Sequence, residues 1–126
     1  MGQKNVKSRV VSPDALKPCP ESPNCVSSQH EHHRVDAIKF TLPADVVWAQ
    51  LMTILQQTKR IKIIMQSETY VHAVARSWLF RFVDDIEFLL LPEESLIHVR
   101  SASRVGYSDF GVNRRRVERL REALID

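Results

Sequence analysis

Between residues 61 and 104 the chain has room for strands and none for crossovers. Four short segments, residues 61–66 (IKIIMQ), 70–77 (YVHAVARS), 84–91 (DDIEFLLL) and 96–104 (LIHVRSASR), are each rich in β-branched or aromatic residues. The turns Ser67-Glu68-Thr69 and Pro92-Glu93-Glu94-Ser95 have hairpin lengths, whereas parallel neighbours need a crossover of about a dozen residues or more. The sheet is therefore predicted to be antiparallel.

Two helices flank this run. Residues 37–42 (AIKFTL) alternate well enough for a further strand, and Pro43 then falls near the first turn of a helix, where its missing N–H costs nothing. That helix is predicted to run to about Thr58, with Val47, Trp48, Leu51, Ile54 and Leu55 on a buried stripe. Residues 112–124 close the chain as a second helix, with Val117, Leu120 and Leu124 on one side. The order predicts an α+β fold: an antiparallel sheet of about five strands with two helices on one face (β-α-β-β-β-β-α). This topology is TATA-binding-protein-like or minimal helix-grip, and topology alone carries no implication of DNA binding.

With 126 residues the chain suits one domain of ordinary size. We read residues 1–17 as a flexible basic tail and 18–126 as a single domain that includes a Cys/Pro leader, 18–36. Charge follows this division. Lys4, Lys7 and Arg9 account for the whole net charge of +3, so the folded part lacks the basic excess of a nucleic-acid surface and nucleic acid is not an expected partner. No run of apolar residues is long enough for a transmembrane helix, and the N-terminus lacks the apolar stretch of a secretory signal. The chain reads as cytoplasmic as it stands, and as a cell-envelope protein if a natural leader has been removed.

The stretch 1–36 holds four of the six prolines, at 13, 18, 20 and 23, and shows neither helical nor strand periodicity. It also holds both cysteines. Five residues separate Cys19 from Cys25, which matches neither a C-x-x-C redox motif nor half of a four-ligand zinc site. The intervening Pro20 and Pro23 favour a bent segment, so the two are expected within disulfide distance, although two cysteines do not establish an oxidising compartment.

Three motifs carry a family likeness. The leader PCPESPNCVSSQ (18–29), the central LFRFVDDIEF (79–88) and RSASRVGYSDFGVNRRR (100–116) together resemble the bacterial and plastid family of unknown function DUF1499. The resemblance spans about residues 18–124 and implies no established activity, catalytic residue or cofactor.

The polar residues of the hairpin strands are the candidates for a site. If the turn centres on Glu93 and Glu94, Glu87 lies opposite Arg100, Asp85 opposite Ala102 and Leu89 opposite His98. Asp85, Glu87, His98, Arg100 and Arg104 then share one face, and Arg76 is in phase to join them. Ile86, Phe88, Leu90, Ile97 and Val99 occupy the other, which the helices should cover. Asp109, in the turn bracketed by Gly106 and Gly111, and Asn113 at the start of the last helix complete the predicted ligand-binding set. Such a face reads either as a charged platform for an anionic group or as a solvated surface of cross-strand ion pairs. Ser108 or Asp109 is equally suited to cap the last helix.

Catalytic readings have less to stand on. Asp84 and Asp85 point to opposite faces of a strand, so only Asp85 and Glu87 can converge, and two carboxylates without a nucleophile or base do not define a hydrolase. His30-x-His32-His33 offers metal-type donors on an unstructured segment. Ser27 and Ser28 lack a nucleophile elbow, and no cofactor is implied. The sequence therefore favours a non-catalytic binding or accessory domain with a protein or small anionic partner, against a hydrolase or metal-dependent enzyme using Asp85, Glu87 and a histidine.

Overall fold

A computed structural model of the chain describes residues 15–31, 33–77, 82–105 and 111–124. Its elements are β1 (Cys25–Ser27), β2 (Ile38–Lys39), α1 (Ala44–Gln57), β3 (Ile61–Gln66), β4 (Tyr70–Arg76), β5 (Val83–Leu91), β6 (Leu96–Ser103) and α2 (Val112–Ala123). The fold is α+β, with one antiparallel six-stranded sheet. Its order is β1-β6-β5-β4-β3, and β2 shares the β6 edge with β1. The strand that the sequence does not announce is β1, which owes its conformation to β6: Cys25, Val26 and Ser27 stand opposite Ala102, Ser101 and Arg100.

The central hairpin has the register its length predicts, with Glu87 opposite Arg100 and Leu89 opposite His98. A single 3-10 turn, Pro92–Glu94, closes it, and Ser95 takes up the left-handed conformation at φ 54. At the far edge β3 shifts register between Ile63 and Met65. This bulge leaves Ile64 and Met65 exposed on a strand without an outer neighbour in the sheet.

Alternation along the strands then builds the core. Val71, Ala75, Ile86, Phe88, Leu90, Ile97 and Val99 project from one sheet face against Val47, Leu51 and Leu55 of α1 and Val117 and Leu120 of α2. Leu51, Leu55, Ile86, Phe88 and Ile97 have no exposed surface. Trp48 buries its ring, and its Nε1–H donates to Ser67 O at 3.2 Å. Pro43 sits at the N-cap of α1, its carbonyl accepting from the Val46 and Val47 amides.

The core face turns polar where α2 begins. Asp84 is buried and pairs with Arg116 Nη1 at 2.8 Å. Beside it Asn113, fully buried, accepts at Oδ1 from Ser101 Oγ. Its Nδ2 donates to Ser103 Oγ at 3.0 Å and to Asn24 O at 3.2 Å. One amide thus joins the leader, the sheet and the last helix. Two further arginines of α2 hold the loop between β1 and β2: Arg114 donates to Arg34 O, and Arg121 to Asp36 O and Ala37 O. No helix among the described residues is long and apolar enough to cross a membrane.

Candidate functional site

The sheet face turned away from the helices is built by the alternate residues of β4, β5 and β6. Two carboxylates organise it, and each is answered by neighbours directly or diagonally across the strands. Asp85 receives Nε and Nη2 of Arg104 at 2.8 and 2.9 Å, a bidentate pair, and Nε2 of His72 at 2.8 Å. The hydrogen bonds from Arg104 lower the Asp85 pKa below the ordinary carboxylate value, with His72 adding to the effect against the opposing influence of burial. Glu87 accepts from the Tyr70 hydroxyl and lies 3.5 Å from Arg100 Nη1. Burial, then the bond to Glu87, pushes the Tyr70 phenol well above its ordinary range.

The segment from Leu16 into the leader lies across part of this face. Leu16 packs with Tyr70, Leu89 and Leu91 into a second apolar cluster. Its amide donates to Gln29 Oε1 at 2.8 Å, and Arg100 Nη2 donates to Pro18 O at 3.4 Å. Cys19 and Cys25 are joined in a disulfide with Cα atoms 5.6 Å apart, and both are buried. The strap covers the Glu87–Arg100 end, where those side chains are 14% and 12% exposed, and leaves the Arg104 side chain 50% exposed.

Of the residues singled out by sequence, Asp85, Glu87, Arg100 and Arg104 come together here. Arg76, the last residue of β4, instead lines a hollow beside Arg116 and Arg119 of α2. Asn113 lies in the buried hub on the helix side, and Asp109 lies outside the described residues. The N-cap of α2 is Gly111, at φ 81, and the capping candidate Ser108 also lies outside the described residues. The His30-x-His32-His33 cluster brings His33 Nε2 to Glu21 O at 3.2 Å, and His32 is outside the described residues. Among the described residues, no three His, Cys, Asp or Glu side chains converge to hold a metal ion.

One pairing escaped sequence reasoning. Ser28 Oγ stands 2.9 Å from His98 Nδ1 and accepts the Val99 amide at 2.8 Å. Burial holds the His98 pKa below its ordinary value, so the ring is neutral near neutral pH and its Nδ1 can accept the serine proton. The partners are 70 positions apart, and nothing local in the sequence points from one to the other. Ser28 is 2% exposed and consumed by the backbone of β6, which is the geometry of a strand-edge tether rather than that of a nucleophile.

No curated protein matches the chain in sequence. A family model does, over residues 15–124, taking in the strap, the sheet and both helices. The chain belongs to the family described as Protein of unknown function (DUF1499).

Proposed function

We propose that the protein is a non-catalytic binding domain whose polar sheet face receives an anionic ligand or an acidic side chain of a protein partner. The observation that carries this reading is Arg104. Its guanidinium is half exposed and fixed by Asp85 through Nε and Nη2, and its remaining N–H groups are left for a second acceptor. Binding is favoured over catalysis because both carboxylates of the face are engaged by their own neighbours. Asp85 in particular is held ionised and is a weak base, unsuited to moving protons near neutral pH.

A titration with inorganic phosphate, followed by NMR of arginine side chains and backbone amides, tests the proposal. Saturable shifts should cluster at Arg104 and Arg100 and disappear in Arg104→Gln, a substitution at an exposed position that leaves the core untouched. Uniform small shifts, or shifts confined to Lys4, Lys7 and Arg9, would overturn the assignment of this face.

A further inference from the structure

The opposite side of the molecule carries a different kind of surface. Between α1 and α2 runs a trough made of two hollows that share Ile54 and Ala123. One hollow, about 500 Å³, lies at the C-terminal end of α1 and is lined by Lys59, Arg60, Arg76, Arg116 and Arg119 over a floor that includes Ile61 and Leu120. The other, about 670 Å³, extends back along α1 past Val46, Ala49, Gln50 and Thr53, with Asp45 at its far end.

The two ends differ in chemistry. At the first, Arg116 is committed to Asp84. Among the described residues, Lys59, Arg60, Arg76 and Arg119 form no ion pair and no carboxylate lines this hollow. Arg60 and Arg76 are fixed as neighbours, since the Arg76 amide donates to Arg60 O at 3.0 Å. Four like charges gathered at one hollow repel one another, and an anion seated among them relieves that repulsion. At the second end Val46 is 42% exposed, and Gln50 Oε1 is buried with no hydrogen-bond partner. The way between is floored by Ile54 and Ala123 and spans about 16 Å from Val46 to Gln57 at the helical rise of 1.5 Å per residue.

We infer that this trough binds a single-chain amphiphile, its anionic head among Lys59, Arg60, Arg76 and Arg119 and its apolar chain laid along Ile54, Ala49 and Val46. An acidic peptide would satisfy the cations but would place its polar backbone against the apolar floor. A free inorganic anion would use one end only. The inference goes beyond the binding reading of the sheet face and stands on separate residues.

The test uses the full chain and dodecyl phosphate below its micelle concentration. It is followed by calorimetry and by NMR of the methyl groups and arginines, with inorganic phosphate and dodecyltrimethylammonium as head-only and charge-reversed controls. Binding should be one to one and should shift Ala49, Val46 and Ala123 together with Arg60 and Arg76. It should weaken at least about tenfold in Arg60→Gln/Arg76→Gln, whose side chains are exposed and outside the core. Ala49→Glu, a charge placed in the apolar half, should weaken it similarly.

Equal binding of dodecyltrimethylammonium or of inorganic phosphate would overturn the inference. So would association with vesicles of anionic lipid without any binding of the monomeric amphiphile. Shifts confined to Arg100 and Arg104 would overturn it too while supporting the sheet-face site, so the two readings fail separately.

Discussion

Asn113 shows how far one side chain can be from what its neighbours in sequence imply. It precedes three consecutive arginines near the start of a charged helix, in company that reads as solvent-facing, yet it has no exposed surface. The difference is tertiary. The polar end of the core presents Ser101, Ser103 and the Asn24 carbonyl to a single point, and a carboxamide supplies both the donors and the acceptor that they need. Asn113→Ala should therefore cost about 2–4 kcal/mol, because it strands buried hydroxyl and carbonyl groups rather than merely shortening a side chain. Urea unfolding would read the cost, and a loss below about 1 kcal/mol would mean that the hub is not holding the leader. Arg76 is a second such case. Strand alternation assigns it to the polar face, but as the last residue of β4 it lines the hollow beside α2 instead.

At the scale of elements, the parts of the fold legible in sequence were those whose geometry is decided locally. The β5–β6 register follows from the length of one turn, and with it the convergence of Asp85, Glu87 and Arg100 on one face. β1 was not legible, since three residues after a proline-rich loop show no periodicity and pair only because β6 offers an open edge. Nor could the sequence show that Leu16 would cover Tyr70 and Leu89 and so close half of the polar face. The disulfide acts on this same leader. Replacing both cysteines, Cys19→Ala/Cys25→Ala, should lower stability by about 2–3 kcal/mol, as expected for a short closed loop. Amide exchange should quicken at residues 16–27 and stay unchanged in β4 and β5. Equal acceleration throughout the sheet would contradict a local role for the strap.

For the whole molecule, the titrating groups make acid the weak side of neutrality. His98 has a folded-state pKa below its ordinary 6.5, so protonation favours the unfolded chain and stability falls as pH drops below that value. Asp85 has a folded-state pKa below its ordinary 3.8, and the stability it contributes is present above that value and lost as pH falls through the folded one. Melting temperature against pH should then decline in two stages. His98→Gln should flatten the first and Asp85→Asn the second. A flat profile between pH 7 and 5 in the native sequence would contradict the assignment of His98 as a neutral, half-buried ring.

The position of β1 also sets an order of events. Val26 and Ser28 take their places against Ser101 and Val99, and Asn24 waits for Ser103 and Asn113, so the first strand of the described sheet closes on its last. On a ribosome β1 emerges early and has no partner strand until β6 follows. The edge of β6 is likewise open until β1 and β2 fill it. Sealing that edge converts a side of the sheet able to pair with strangers into one already paired with its own chain.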